Sequence, residues 1–302
     1  MKTLEAGKRI ALKNVLFATD FSPYSNLALP YALAIARQYG SKVFGAHVAP
    51  AEDYLFAAPE AWAAKINQSE DLKQESTAIL EDQLRGVPHE VLFEIGDVWK
   101  VLSSFIEKHE IDLLVVGTHG RTGTRKLLMG SVAEKIFRQA TCPVLSVGPN
   151  APCAPVGEIR FQNILLATNF GEESLAALPY ALSLSEEHQT RLALLHVVEA
   201  SAAGIVDADE VKSSLMHRLR DLVPPEAEPW CDVQCMVEFG RQSARPAERI
   251  VEVARDWAAD LIVLGVCPPH GPLGVVTHMA HTTAQQIVAQ ATCPVLTLRR
   301  SA

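Results

Sequence analysis

The chain has 302 residues, enough for two domains of ordinary size, and its composition of 48% hydrophobic and 21% charged residues is that of a folded globular protein. Its formal net charge of -8 argues against nucleic-acid or anionic-membrane partners, although a local basic patch can still bind phosphate. No apolar run approaches the ~20 residues that cross a bilayer, and the start of the chain has no signal-peptide pattern, so we expect a cytoplasmic protein.

The first half alternates short β-branched runs with longer helical patterns. Ser22 and Pro23 suit the N-cap and first turn of the first helix, and Asp97 suits the cap of a later one. Continuously apolar strands in this order predict a parallel sheet covered by helices on both faces. In chain order the predicted strands are 14–19, 42–48, 90–95, 112–116 and 143–147, and the predicted helices are 23–39, about 60–85, 98–109 and 131–140.

The chain contains the same domain twice. "NVLFATDFSPYSNLALPYALAIA" at 14–36 matches "NILLATNFGEESLAALPYALSLS" at 163–185 without a gap, and later pairs such as "IDLLVVG" and "ADLIVLG" follow in the same order. The Pro- and Gly-rich string "GPNAPCAPVGEIR" separates the copies. We therefore predict a first domain at 1–148, a linker at 149–159 and a second domain at 160–302.

A glycine-rich loop, "GTHGRTGTRKLLMGS", joins a predicted strand to a predicted helix in the first half. Glycines let the backbone approach a phosphate, and a helix start supplies open N–H groups. Ligands of parallel sheets bind beyond the carboxyl ends of the strands, which is where this loop and "ATD" at 18–20 both fall. The spacing is G-x2-G-x9-G-S, which differs from the Walker A and GxGxxG patterns. Its residues are Gly117, Gly120, Gly130 and Ser131, with the cationic Arg121, Arg125 and Lys126 beside them.

Five motifs together give the chain a family resemblance. They are "ATDFS" at 18–22, "HV" at 47–48, "GTHGRTG" at 117–123, "GSVAE" at 130–134 and "ATCPV" at 140–144. In this combination the chain resembles the universal stress protein family in its tandem two-domain form, over nearly its whole length.

The resemblance implies two tandem Rossmann-like α/β domains, each an open five-stranded parallel sheet with helices on both faces. Family members with this glycine spacing bind ATP, which we expect here with Mg²⁺ and in a stress-response regulatory or sensor role. Asp20 would contact the nucleoside together with the backbone of Ala18 and Thr19, and Val48 would line the adenine pocket. The ribose and phosphates would be surrounded by Gly117, His119, Gly120, Gly130, Ser131 and Val132, with Arg121 as a cationic contact.

The second half keeps the landmarks of the fold and loses those of the ligand. "GTHGRTG" becomes "GVCPPHG", where two prolines lack N–H donors, and a side chain, His281, replaces Gly130. Asp20 becomes Asn169 and Ser22 becomes Gly171. We therefore predict ATP binding by the first half and a degenerate loop in the second.

Several of these residues also have structural interpretations. "SVAE" reads as a capping box of Ser131 and Glu134, repeated by Thr282 and Gln285, and Asp20 suits a turn ahead of Ser22. Buried packing would explain the matched pair His47 and His196, and also Cys142 and Cys293 in the two "ATCPV" strings. Metal ligation by Cys267, His270, His278 and His281 lacks a second motif to fix its geometry, so no metal site is assigned.

Catalysis is not indicated by the sequence. Asp20 is the evident acid near the loop, and no Walker B acid or Ser–His–Asp set is visible, so no catalytic residue is assigned. Two alternatives stay open beside the regulatory interpretation: a slow ATPase or nucleotidyl-transfer enzyme on the same fold, and a module that binds another small molecule or a partner.

The last strand of each half, at 144–147 and 295–298, is short, apolar and suited to a sheet edge. Members of the family that the chain resembles pair through this strand. We therefore expect the two halves to pair with each other inside one chain, which hides both edges. A further homodimer is compatible with the sequence.

Overall fold

The computed structural model describes residues 10–50, 62–119, 129–152, 161–199, 208–227, 231–240, 245–266 and 282–299. Within these ranges the first half forms strands β1 (Asn14–Ala18), β2 (Lys42–Pro50), β3 (His89–Gly96), β4 (Leu113–Gly117) and β5 (Val144–Val147). The second half forms β6 (Asn163–Ala167), β7 (Arg191–Val198), β8 (Asp232–Phe239), β9 (Leu261–Gly265) and β10 (Val295–Leu298). The five strands predicted for the first half are thus confirmed, with small differences at their ends.

The helices alternate with these strands. Those of the first half are α1 (Pro23–Asn26), α2 (Leu29–Tyr39), α3 (Trp62–Gln83), α4 (Val98–Lys108) and α5 (Ser131–Gln139). Those of the second are α6 (Glu172–Ala176), α7 (Leu178–His188), α8 (Ala208–Arg220), α9 (Pro246–Asp256) and α10 (Thr283–Gln290). In the described segments no helix is both long and apolar enough to cross a membrane.

The single helix predicted over 23–39 is wrong in one detail, because it is divided into α1 and α2. Pro30 lies in the first turn of α2, where its missing N–H costs nothing, but it cannot continue a helix from α1. The second half is divided at the same place, ahead of Pro179. The predicted caps are confirmed: Ser22 accepts from the Ser25 N–H, and Asp97 accepts from the Lys100 N–H.

Each half has the strand order expected of a Rossmann-like sheet. The strands of the first half run 3-2-1-4-5 and are parallel, and β6 to β10 repeat that order. Successive residues of a strand face opposite sides, so Val15 and Phe17 of β1 enter one core cluster while Leu16 enters another. Helices α2 and α4 cover these two faces, as the prediction of helices on both faces requires.

The two halves form one ten-stranded sheet. Strands β5 and β10 lie antiparallel at its centre, where Leu145 faces Leu296. The core cluster on the α2 face is continuous across this junction and contains residues of both halves, such as Phe17 and Leu166. One polar contact also joins the halves: the Ile10 N–H donates to Ser183 Oγ at 3.0 Å. The Tyr31 hydroxyl donates to the carbonyl of Pro152 in the linker at 3.1 Å.

Candidate functional site

The carboxyl ends of β1 and β4 form the switch point of the first-half sheet. These strands are neighbours, with Ala18 opposite Val116, and the chain leaves them toward opposite edges of the sheet. Open α/β sheets bind ligands at such a crevice. Asp20 follows β1, His119 follows β4, and the helix α5 begins at the end of the loop that follows His119. The structure therefore brings these three predicted elements together at the carboxyl ends of β1 and β4.

The turn after β1 is held by a cluster of hydroxyl groups. Thr19 Oγ1 lies 2.9 Å from Ser25 Oγ and accepts the Phe21 N–H at 2.9 Å, which fixes Phe21 at a φ of 60°. A carboxylate oxygen of Asp20 accepts the Ser22 N–H at 3.0 Å. The second half repeats the turn: Thr168 contacts Ser174 at 2.8 Å, and Asn169 accepts the Gly171 N–H. This turn therefore belongs to the fold, and Asp20 has the turn role that its sequence position allows.

The backbone of Thr19, predicted to contact a nucleoside, is already engaged. Its N–H donates to the Ala46 carbonyl at 3.0 Å, and its carbonyl accepts from His47 Nδ1 at 2.8 Å. His47 is buried and packs against the Phe21 ring at 4.6 Å between centroids. His196 makes the same bond to Thr168, so the packing interpretation of the two histidines agrees with the structure.

Gly117 packs against helix α1. A Cβ on this residue would lie 2.8 Å from the Tyr24 carbonyl oxygen and 2.9 Å from the Ser25 Cα. Gly265, its counterpart in the second half, would bring a Cβ to 2.0 Å from the Glu173 carbonyl oxygen. Because the half with the degenerate loop has the same constraint, close approach of helix and strand is enough to explain this glycine.

His119 is only 6% exposed and combines a fixed orientation with an unsatisfied nitrogen. Its Nδ1 lies 2.9 Å from Thr118 Oγ1, and its ring centroid lies 5.7 Å from that of Tyr24. Its Nε2 is buried and has no hydrogen-bond partner within the described parts of the chain. The second half has Val266 and Cys267 at these two positions, so the arrangement is specific to the first half. Buried polar groups are normally paired, which makes Nε2 a candidate ligand contact.

The predicted capping box at Ser131 is wrong. The Glu134 N–H donates to the Gly130 carbonyl at 2.8 Å, which makes Gly130 the N-cap and Ser131 the first helical residue. The residue at which α5 begins is set by the Gly130 N–H, which donates to the Thr118 carbonyl at 2.9 Å and so joins the two ends of the loop. Glu134 forms an ion pair with Arg138 instead.

The matching helix start in the second half is capped as predicted. The Gln285 N–H donates to Thr282 Oγ1 at 3.3 Å, and Gln285 Oε1 accepts the Thr282 N–H at 2.8 Å. At α5, by contrast, no side chain of the described residues caps the first turn. The open N–H groups of a first turn carry partial positive charge and attract anions. The two helix starts therefore differ chemically although the fold is repeated.

Acidic side chains also distinguish the halves. Helix α6 has Glu172 and Glu173 in its first turn, beside the carboxyl end of β6, whereas the first turn of α1 contains no acid. The second half thus has two carboxylates in this helix turn, whereas the first half has the single carboxylate of Asp20 in the preceding turn, where the second half has Asn169.

The remaining predicted residues have varied positions. Val48 is buried near the end of β2, in the same core cluster as Val116, and Ala18 is half-buried at the end of β1. Val132 is 37% exposed in the first turn of α5. The predicted contacts that lie outside the described residues are Gly120 and Arg121, with the nearby Arg125 and Lys126.

The two cysteines of the "ATCPV" strings are buried in the core. Burial raises the pKa of the Cys142 and Cys293 thiols to about 12, which keeps them protonated and agrees with a packing role. The described residues contain no group of three or more potential metal ligands. The four residues considered for a metal site, Cys267, His270, His278 and His281, lie outside the described ranges.

Sequence reasoning missed Thr118, Tyr24 and Ser25. The hydroxyl pair of Thr19 and Ser25 had a visible signal, because the gapless repeat places Thr168 and Ser174 at the same positions. Thr118 and Tyr24 had none, since both become important only through their contact with His119.

Comparison with known proteins decides the family. The family model described as "Universal stress protein family" matches the chain twice, at residues 11–148 and 160–299. The chain belongs to the universal stress protein family. Its two matched segments make it a tandem, two-domain member, although the predicted bounds of the domains and the linker stay predictions.

Individual relatives support the same assignment. The universal stress protein MJ0531 of Methanocaldococcus jannaschii is 31% identical over 150 residues, which cover 45% of this chain and 81% of the relative. Universal stress protein A homolog 1 of Coxiella burnetii is 32% identical over 138 residues, 45% of this chain and 95% of the relative. A crystal structure of a universal stress protein from Archaeoglobus fulgidus matches 96% of this chain and 100% of its own, with a TM-score of 0.72 at 20% identity, which shows a shared fold.

Proposed function

We propose that the first half of this universal stress protein binds ATP with Mg²⁺, and that the protein acts as a nucleotide-dependent regulatory or sensor protein in a stress response. The observation that carries the proposal is the buried His119 Nε2, which has no partner in the described ranges and lies at the switch point of the sheet. A buried unsatisfied nitrogen costs about 1–3 kcal/mol. A ligand that offers a hydrogen-bonding group to His119 removes that cost.

The start of α5 supports a phosphate-containing ligand. Gly130 places no side chain over the first turn, and the open N–H groups there favour a negative charge. Mg²⁺ bound with the nucleotide would be held by phosphate oxygens and water, as is usual for Mg²⁺, with Asp20 as the nearby carboxylate. Val48 and Val132 supply the apolar surface that an adenosine group needs.

The second half has the opposite properties. The Thr282 side chain already occupies the first turn of α10, and Glu172 and Glu173 add negative charge beside β6. A histidine also replaces Gly130 in its sequence. We therefore assign one nucleotide to each chain.

The test is a pair of matched variants. Gly130→His copies the second half into the first and places a side chain over the first turn of α5. We expect it to stay folded by circular dichroism and to bind ATP at least ~100-fold more weakly in a calorimetric titration, since it blocks several charge-assisted hydrogen bonds. The reciprocal change His281→Gly is the control and should leave ATP binding unchanged. Retained ATP affinity in the folded Gly130→His protein rules out the site.

The other candidate functions are separated by two measurements. ATP released from the purified protein by denaturation, and identified by mass spectrometry, contradicts a module that binds no nucleotide. Steady-state hydrolysis well above one turnover per minute would favour the enzyme, whereas the regulatory proposal expects slower turnover. A cytoplasmic location and a further homodimer are also proposals.

A further inference from the structure

Helix α5 lies between the cores of the two halves. Ile136 packs in the first-half cluster with Leu114 and Val116. Phe137, the next residue, is buried in the second-half cluster with Ile287 and Val288 of α10. The helix whose first turn borders the proposed phosphate site is thus supported on one side by the other half of the chain.

The segment just ahead of α5 has a similar contact. Met129 immediately precedes the N-cap Gly130 and packs against the same second-half cluster. Met129 also borders a small cleft whose other walls come from the second half, including Arg245 of the α9 start and Ala289 of α10. Both ends of α5 therefore contact the second half.

Arg299 fixes the far end of the helix. This residue follows β10, and its guanidinium group donates to the Phe137 carbonyl near the C-terminus of α5. A carbonyl in the last turn has no partner inside its helix, and a cation there complements the negative end of the helix dipole. Arg299 thus makes a favourable charge-assisted contact across the two halves.

At the matching position of the first half, the reverse contact lacks an equivalent donor. Gly148 follows β5 as Arg299 follows β10, and it faces the end of α10: a Cβ there would lie 3.7 Å from the Val288 carbonyl oxygen and 3.8 Å from that of Ala291. A glycine has no side chain that can donate to either carbonyl. In the repeat, Val288 also replaces Phe137. At this position, therefore, the second half donates to a helix of the first through Arg299, whereas Gly148 of the first half has no side chain that can donate to α10.

We propose that Arg299 is a positioning residue through which the degenerate second half holds α5 in place for the nucleotide of the first. The inference rests on the proposed function for its ligand, since ATP would bind at the opposite end of α5. Holding the helix in advance lowers the ordering cost of ATP binding, and by linkage ATP strengthens the contact between the halves. This gives the second half a function that does not require a ligand of its own.

The experiment uses the full chain with Arg299→Ala, Arg299→Lys and, as the control, Arg255→Ala. Arg255 is an exposed arginine of α9, so its variant removes the same charge without touching α5. Hydrogen exchange of the α5 amides is measured without ligand, and the ATP dissociation constant is measured by calorimetry. We expect Arg299→Ala to speed exchange in α5 and to raise the dissociation constant, each about fivefold or more. Lysine should restore most of both, and the control should match wild type.

Unchanged hydrogen exchange in α5 of the Arg299→Ala protein would overturn the proposal, because it would show that Arg299 does not support the helix. Exchange that is faster to the same extent in α5 and α10 would also overturn it, because it would show a general loss of stability. An unchanged ATP dissociation constant with faster α5 exchange also overturns it, because the helix would then be held without effect on the ligand. If the wild-type protein binds no ATP, the proposed function is wrong, and the proposed effect of Arg299 on ATP binding is then wrong as well. The exchange data still decide separately whether Arg299 holds α5.

Discussion

His119 shows at the scale of one residue how the first half differs from its repeat. Its ring is fixed by Thr118 Oγ1 and by contact with Tyr24, so Nε2 is held in one direction and is shielded from water. Buried ring nitrogens are normally paired. His109 Nε2 is also buried without a partner in the described ranges, but that ring packs between Phe44 and Phe105, whereas His119 lies at the switch point of the sheet. Its position at the switch point is what makes Nε2 the contact proposed for the nucleotide.

Replacement of His119 by phenylalanine separates ligand binding from packing. Phe keeps an aromatic ring beside Tyr24 but removes both ring nitrogens. Loss of the Thr118 contact and relief of the buried Nε2 have opposite signs and similar sizes, so the free energy of unfolding without ligand should change by less than about 1 kcal/mol. ATP affinity should fall about tenfold or more. Urea denaturation with and without ATP measures both; equal stabilisation of wild type and variant by ATP would contradict the assignment.

Gly117 shows where sequence reasoning at this scale reached its limit. The glycine spacing suggested a ligand role, yet the structure gives this residue a packing role against Tyr24 and Ser25 that Gly265 repeats. A glycine needed for a phosphate and one needed for helix packing look the same in a sequence. Asp20 was better constrained, because its place ahead of Ser22 already suggested the turn that is observed.

Helices α5 and α10 occupy matching positions in the two halves, but their first turns differ. Both sequences satisfy the S/T-x-x-E/Q pattern, but only α10 forms the capping box. At α5 the helix starts one residue earlier, because the Gly130 N–H is tied to the Thr118 carbonyl across the loop. That contact is nonlocal, and so a local pattern could not predict it. The strands and most helices, which depend on local periodicity, were predicted well.

Alanine substitution at the two matched positions tests this difference. Thr282→Ala removes an N-cap and should lower the free energy of unfolding by about 1 kcal/mol. Ser131→Ala changes an exposed first-turn residue and should alter it by less than about 0.5 kcal/mol. Chemical denaturation of the two variants under identical conditions measures both values. A loss at Ser131 as large as that at Thr282 would show that Ser131 caps α5 in solution.

At the scale of the whole molecule, the halves share a sheet and a core. The central contact is the antiparallel pair of β5 and β10, and the cluster on the α2 face contains buried residues of both halves. The sequence indicated the duplication through its repeats, and it indicated the last strand of each half as an edge strand through its short, apolar character. The asymmetric contacts of Arg299 and Phe137 could not be predicted, because they join residues 162 positions apart.

A shared core should make the chain unfold as one unit. Differential scanning calorimetry of the ligand-free protein is expected to show a single transition, with calorimetric and van't Hoff enthalpies that agree. Leu296→Asp, which places a charge opposite Leu145 in the central strand pair, should lower the midpoint for both halves together. Two resolved transitions in the unaltered protein, or a loss confined to one half, would contradict a single cooperative unit.

We propose one nucleotide site in the chain, located in the half that keeps Gly130 and His119. Calorimetric titration of the purified, nucleotide-free full chain with ATP and Mg²⁺ tests it most directly, because the stoichiometry counts functional sites whatever the oligomeric state. We expect one ATP per chain. Two ATP molecules per chain would show that the second-half crevice also binds, and no binding at all would contradict the proposed function.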